Sequence, residues 1–162
     1  MELPKINFAK FDYPLKLLLI GNADTWGAFL AVIEDLTPEQ LAYKHPGLKL
    51  RSIAEMTNHA LDCQYGFFTQ KLALGKPGFE LYREAPKTVK EVQQRVIETY
   101  AKTVKLWQGF GAKDFTREIK TPWGQVLTGE LALFQSITHT HYHVSEICFL
   151  RGLGGFATVV MG

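Results

Sequence analysis

The fold of this chain can be worked out from residues 128–152, which read TGELALFQSITHTHYHVSEICFLRG. Thr128 is a favourable N-cap, because its hydroxyl can accept a hydrogen bond from a backbone N–H of the first helical turn. Apolar residues recur at spacings of three and four until Gly152, so the stretch predicts one helix of about 24 residues. A second set of residues at helical spacings lies on the side away from His139 and His143. This set, called the outward stripe below, is Phe134, Ile137, His141, Val144 and Cys148. A helix that is apolar on more than one side suits a bundle centre or a subunit interface.

Apolar residues at helical spacings predict three more long helices upstream. Pro14 opens the first, Ser52 and Glu55 form a capping box at the start of the second, and Thr88 opens the third. The predicted bounds are 14–36, 52–74 and 88–107. A short helical turn at 37–40 follows the first of them.

The pattern changes between residues 115 and 127. Phe115, Arg117, Ile119 and Thr121 lie at every second position, as in a strand. Pro122-Trp123-Gly124 is typical of a turn. This predicts a small β-hairpin or an irregular excursion before the last helix. Because no repeat, low-complexity tract or linker interrupts residues 1–162, we expect one domain of the all-α class, a four-helix bundle with that excursion.

Composition excludes several classes of protein. The 162 residues include 18 Lys and Arg against 16 Asp and Glu, a formal net charge of +2, and the cations are interleaved with anions. This balance argues against a nucleic-acid partner. No segment reaches the roughly 20 apolar residues that span a bilayer, and residues 1–10 lack the apolar core of a signal peptide. We therefore expect a cytoplasmic protein without a membrane partner, with Cys63 and Cys148 reduced and buried.

The last helix carries three histidines within five residues. His139 and His143 lie one turn apart on the same face, whereas His141 points to nearly the opposite side. Two imidazoles at this spacing can chelate one metal ion. A zincin-type metalloprotease would need Glu directly after the first histidine, and Thr140 occupies that position.

A third metal ligand must come from another helix, and His59 is the histidine placed centrally in one. Three neutral imidazoles with open coordination positions are typical of a catalytic site. The alternative is that the histidines are ordinary hydrogen-bonded interior residues. Glu146 shares the face of His143 and is a candidate general base or partner of a ligand, or else a solvated carboxylate. His45, in a polar turn, is expected to be exposed.

Three stretches together resemble the DinB-like (DinB/YfiT-like) superfamily of proposed metalloenzymes. They are RSIAEMTNH, ending at His59, then TPWG at 121–124, and HTHYHVSEICFLRG, beginning at His139. The resemblance implies an up-down-down-up four-helix bundle, a divalent metal held by His59, His139 and His143, and frequently a homodimer. Many members have Arg-Gly-Gln directly after the last histidine, where this chain has Val144-Ser145-Glu146.

The resemblance also implies a function. Relatives of this fold include thiol transferases that act with low-molecular-weight thiols such as bacillithiol or mycothiol, and maleylpyruvate isomerase-like enzymes. We therefore expect a metal-dependent enzyme of thiol S-transferase or hydrolase type, acting on a small-molecule substrate, with Zn, Ni, Fe or Mn as the ion. The alternative is a non-catalytic metal- or ligand-binding bundle that forms a dimer. Candidates to line the pocket are Trp123 and Tyr142, and candidates to cover the outward stripe are Phe156, Val159, Val160 and Met161.

Overall fold

In a computed structural model, which describes residues 2–78 and 80–157, capping side chains set where the helices begin. Ser52 Oγ accepts the Glu55 N–H, and the Glu55 carboxylate accepts the Ser52 N–H. Thr128 Oγ1 accepts the N–H of Leu131 in the same way at the last helix. The predicted starts of these two helices are confirmed.

The helices are α1 (Leu15–Ala31), α2 (Pro38–Leu41), α3 (Ile53–Leu61), α4 (Val89–Trp107), α5 (Ala112–Thr116) and α6 (Gly129–Leu153). A 3-10 turn, Phe8–Lys10, precedes α1, and a π-helical segment, Asp62–Ala73, continues α3. Strands β1 (Glu118–Lys120) and β2 (Val126–Thr128) pair antiparallel, with Ile119 opposite Leu127. The all-α class and the small hairpin before the last helix are therefore confirmed.

Four long segments pack side by side around the core. α6 packs against α1, α3 and the π-helical segment, and α4 contacts the same three segments. The indole N–H groups of Trp26 and Trp107, both fully buried, donate to Gln64 Oε1 (2.7 Å) and Thr69 Oγ1 (3.0 Å) on the π-helical segment. The buried aromatic residues thus tie α1 and α4 to the segment that follows α3.

The first helix is shorter than predicted. It ends at Ala31 rather than at residue 36, and residues 32–35 form turns. The carbonyl of Val32, which a continuing helix would use internally, accepts a hydrogen bond from Arg151 Nη1 at 2.8 Å. This contact with a distant residue satisfies a carbonyl that the end of the helix leaves free.

The segment predicted as one helix over 52–74 has the expected extent but changes its winding at Asp62. From there each backbone N–H bonds to the carbonyl five residues earlier instead of four. The Leu74 N–H, for example, donates to the Thr69 carbonyl. A π-helical turn is wider than an α-helical one and rotates the following side chains. Gln64 and Thr69, which accept the hydrogen bonds of Trp26 and Trp107, both lie in this segment.

Phe115 is a second correction, because it lies in α5 rather than in the predicted alternating strand. α5 passes so close to the start of α6 that a Cβ on Gly129 would lie 1.9 Å from the Asp114 carbonyl oxygen. Only glycine fits at that position. The close approach fixes where α6, the helix of the histidines, begins.

None of the helices among the described residues is long and apolar enough to span a bilayer. Within the tail, Phe156 packs against Tyr43, with ring centroids 5.2 Å apart, and so covers the core rather than the outward stripe of α6. Val159, Val160 and Met161, the other residues proposed to cover that stripe, lie outside the described residues.

Candidate metal centre

Two packed helices bring three histidines together. His59 lies in the last turn of α3, and His139 and His143 lie one turn apart in the middle of α6. The ring centroid of His59 is 5.4 Å from that of His139 and 4.9 Å from that of His143, and the two α6 rings are 4.5 Å apart. The sequence-predicted trio is therefore one cluster in the fold.

One ring nitrogen from each histidine points into the cluster. These three nitrogen atoms all lie within 4.8 Å of one another, and the set is of a kind that could hold a metal ion. Imidazole nitrogens bind first-row divalent metals at about 2.0–2.1 Å. Small side-chain adjustments would therefore suffice for a single ion to contact all three.

Among the described residues, two of the cluster nitrogens have no hydrogen-bond partner. They are His139 Nδ1 and His143 Nε2, both buried. His143 Nδ1 donates to Glu146 Oε2 at 2.5 Å, so Nε2 carries the free lone pair. A histidine that gives one N–H to a carboxylate and directs its other nitrogen inward is the usual arrangement of a metal-ligating histidine. The donor set therefore fits a divalent metal.

The surroundings keep the cluster histidines neutral. Burial, aided by the charge of Arg51 and the neighbouring imidazoles, lowers the pKa of His59 to about 4. Burial likewise lowers the pKa of His139 to about 4. The pKa of His143 is also lowered by burial, against the opposing effect of the Glu146 carboxylate. Neutral imidazoles have free lone pairs for a cation at physiological pH.

Cys63, expected from the sequence only to be a reduced and buried thiol, is a neighbour of the site. Its Sγ lies 3.7 Å from both ring nitrogens of His59, and the side chain is half-buried. Burial raises the pKa of this thiol to about 11, so it is protonated at neutral pH. The spacing of four residues from His59 on one helix was the available signal.

The other sequence candidates are distributed around the site. Tyr142 is exposed, with its ring 5.7 Å from that of His143, whereas Trp123 pairs with Phe67 at 6.0 Å and makes no ring contact with the cluster. His45 is half-exposed, and its Nδ1 accepts the Gly47 N–H. His141 is exposed, on the side of α6 away from the paired histidines.

A cavity of about 600 Å³ opens beside the cluster. Its lining consists of two acidic, three basic and two apolar residues: Lys44, Lys49, Leu50, Arg51, Glu55, Met56 and Glu146. Glu146 connects this cavity with the histidines, because the same carboxylate accepts the His143 hydrogen bond. A molecule in the cavity can therefore contact the carboxylate that holds the His143 ring.

The fold and the cluster together define a helical-bundle protein with a candidate three-histidine metal centre. The chain belongs to the DinB superfamily, whose family model matches residues 23–147, a range that contains all three histidines. The resemblance inferred from the sequence motifs is thereby confirmed.

Two solved structures share the fold. YfiT from Bacillus subtilis, described as a probable metal-dependent hydrolase with an unusual four-helix bundle topology, superposes with a TM-score of 0.71 at 16% identity, over 96% of this chain and 95% of that one. A DinB-like protein, YjoA, from the same organism gives a TM-score of 0.70 at 17% identity, over 90% and 96%. No curated protein matches the chain. The predicted four-helix bundle is confirmed.

Proposed function

We propose that this protein is a metal-dependent enzyme of hydrolase or thiol S-transferase type, with His59, His139 and His143 as ligands of one divalent first-row metal. The observation that carries the proposal is a pair of buried nitrogens, His139 Nδ1 and His143 Nε2, which no residue in the described ranges 2–78 and 80–157 hydrogen-bonds. Buried polar atoms without a partner are rare in folded proteins, because each one loses its hydrogen bonds to water without replacement. The description of YfiT as a probable metal-dependent hydrolase supports the same class.

The metal, when bound, would supply Lewis-acid chemistry by lowering the pKa of a water or thiol ligand towards neutrality. Three protein ligands leave coordination positions open, as catalytic rather than closed structural sites do. Three imidazoles suit zinc, nickel and iron, and they suit manganese, which favours oxygen ligands, less well. The substrate would be a small molecule that enters through the cavity beside Glu146.

Glu146 has two roles in this proposal. Its Oε2 holds the His143 ring through the Nδ1–H, which fixes the tautomer that leaves Nε2 free. As a lining residue of the cavity, the carboxylate can also accept the proton that a water or thiol loses on attack and return it to the leaving group. Glu146→Gln keeps an oxygen that accepts the His143 hydrogen bond but cannot take up a proton. We expect this variant to retain metal at saturation and to lose turnover.

Metal quantification on protein purified without chelator tests the centre. We expect about one divalent ion per chain, lost in His59→Ala and retained in His141→Ala, the matched control that removes an exposed histidine from α6. Added zinc should raise the melting temperature of the native protein and of the control only. Equal metal content in all three proteins would contradict the ligand assignment.

Assays of the zinc-loaded protein separate the two reaction types. Esters and amides report hydrolysis, and low-molecular-weight thiols with an electrophile report S-transfer. If metal binds and stabilises the fold but neither panel turns over, the protein is a non-catalytic metal-binding bundle instead.

We also propose a homodimer through the groove between α1 and α6. This groove of about 380 Å³ includes the exposed apolar side chains of Leu17, Leu131 and Phe134. Contiguous exposed apolar residues are characteristic of interaction surfaces. Phe134→Glu should convert a dimer to a monomer in size-exclusion chromatography with light scattering, whereas Leu48→Glu, at an exposed leucine elsewhere, should not. A native monomer would contradict the proposal.

A further inference from the structure

Two cations beside the three-histidine cluster have no partner among the described residues. Lys49 and Arg51 line the 600 Å³ cavity, both are exposed, and neither forms an ion pair or hydrogen bond within that part of the chain. Lys44, in the same cavity, is already paired with Glu55 at 2.6 Å. The unpaired positive charge in the cavity therefore belongs to Lys49 and Arg51.

The local structure fixes where Arg51 sits. It directly precedes Ser52, whose side chain and backbone are both held by the capping box with Glu55 at the start of α3. It lines the same cavity as Glu146, whose carboxylate holds the His143 ring. A cation in this cavity disfavours a metal cation at the neighbouring cluster unless an anion offsets its charge.

The remaining charges of the cavity show where such an anion would lie. Glu146 repels an anion from the end nearest His143, and the Lys44–Glu55 pair contributes little net charge. Lys49 and Arg51, both exposed in the same cavity, attract it. An oxyanion bound by these two cations would share the cavity with Glu146, the carboxylate that contacts His143.

We infer that Lys49 and Arg51 form an oxyanion-binding subsite beside the three-histidine centre, so that the substrate is a small molecule bearing a carboxylate or phosphate group. The inference rests on the proposed function and names the substrate class for the same centre. The volume suits it, because pockets for small ligands span about 300–1,000 Å³. Arg51 suits it as well, because a guanidinium binds either oxyanion with two parallel hydrogen bonds.

The test uses succinate and inorganic phosphate as probes. Zinc content is measured first, and each probe is then titrated calorimetrically into the zinc-loaded protein at constant ionic strength. We expect at least one probe to bind, with affinity about tenfold weaker in Arg51→Gln and in Lys49→Gln, the loss of one charge-assisted contact. Arg51→Lys, which keeps the charge without the paired geometry, should fall between. Lys102→Gln removes an exposed charge from α4, outside the cavity, and should match the native protein.

Each outcome decides one proposal. Weaker binding in the Arg51 and Lys49 variants alone supports the subsite, and the preferred probe tells a carboxylate from a phosphate substrate. No binding of either probe, or equal binding in native protein, Arg51→Gln and Lys102→Gln, overturns the subsite while the metal centre stands. Failure of the native protein to take up zinc overturns the proposed function instead, and it registers before any probe is added. Zinc affinity of Arg51→Gln serves as a second readout, expected to equal or exceed the native value because a repulsive charge is removed.

Discussion

Helix α6 buries two kinds of polar side chain two turns apart. Arg151 is 1% exposed, and its guanidinium donates to both carboxylate oxygens of Asp35 (2.7 and 2.8 Å) and to the carbonyls of Val32 and Ala157. His143 is 4% exposed, and within the part of the chain that the structure describes its Nδ1 has a partner whereas Nε2 has none. The protein thus satisfies Arg151 internally and leaves His143 to be completed from outside.

The difference separates a structural polar group from a functional one. Arg151 holds the end of α1 against α6, and the hydrogen bonds it makes offset the loss of its hydration. The histidine cluster lowers the stability of the metal-free fold. Its two buried nitrogens have lost their hydrogen bonds to water and gain none from the described residues. The contribution of Arg151 to the stability of the fold should not change when a ligand binds, whereas the contribution of the histidine cluster should depend on bound metal.

The largest expected effect is metal-linked stabilisation at the histidine cluster. A ligand that binds only the folded state at a concentration of 1,000 times its Kd adds about 4 kcal/mol to the free energy of unfolding. Saturating zinc should produce a gain of this order in urea denaturation of the native protein. His143→Ala should abolish the gain, and His141→Ala should preserve it. A gain that survives in His143→Ala would place the ion elsewhere.

The next effect is at Arg151, whose replacement by alanine should lower the free energy of unfolding by about 3 kcal/mol. The change leaves the Val32 and Ala157 carbonyls without a donor and opens a gap between α1 and α6. Arg83→Ala, at an exposed arginine with no hydrogen bond among the described residues, is the control. The loss should be the same with and without zinc, and a loss that zinc reverses would break the contrast with the cluster.

A smaller effect is expected at Glu146, which supports a ligand without being one of the three. Removing the partner of a metal-ligating histidine weakens metal affinity by about 10–100-fold. Glu146→Gln, which keeps an acceptor for Nδ1–H, should lie at the lower end of this range and Glu146→Ala at the upper end. Competition with a chromogenic zinc chelator measures both. Equal affinities in the two variants would show that the hydrogen bond to His143 does not tune the site.

Local sequence signals sufficed for much of the fold and of the site. The caps at Ser52 and Thr128 are interactions within one helical turn, and the alignment of His139, His143 and Glu146 follows from helical periodicity. The motif that ends at His59 supported the resemblance to the DinB-like family, and that resemblance implied His59 as the third ligand. Each of these features depends on residues close together in the chain.

The features that sequence reasoning missed depend on distant contacts. Arg151 donates to the Val32 carbonyl at the end of α1, and the two residues are 119 positions apart in the chain. The meeting of Arg51 with Glu146 in one cavity requires α3 and α6 to be packed already. The π-helical segment that begins at Asp62 forms hydrogen bonds with Trp26 of α1 and Trp107 of α4. Periodicity within a single helix contains no information about such partners.

The smallest expected effect is the pH dependence of the Arg151–Asp35 pair. The hydrogen bonds from Arg151 hold the pKa of the Asp35 carboxyl below its usual range. Because the folded-state pKa is depressed, this carboxylate contributes stability above the pKa of the unfolded chain, about 3.9, and the contribution is lost as pH falls through the folded-state pKa. Its side chain is 50% exposed, so solvent screening limits the contribution to below about 1 kcal/mol.

Asp35→Asn isolates that contribution. The free energy of unfolding of the native protein should fall more steeply than that of Asp35→Asn as pH drops below about 4, and the two curves should converge once Asp35 is protonated. Glu34→Gln, an exposed acidic neighbour without an ion pair among the described residues, is the matched control and should follow the native curve. Parallel curves for native protein and Asp35→Asn would mean that the carbonyls of Val32 and Ala157 alone hold Arg151. That result would leave the contrast with the histidines intact, since Arg151 would still be satisfied from within the chain.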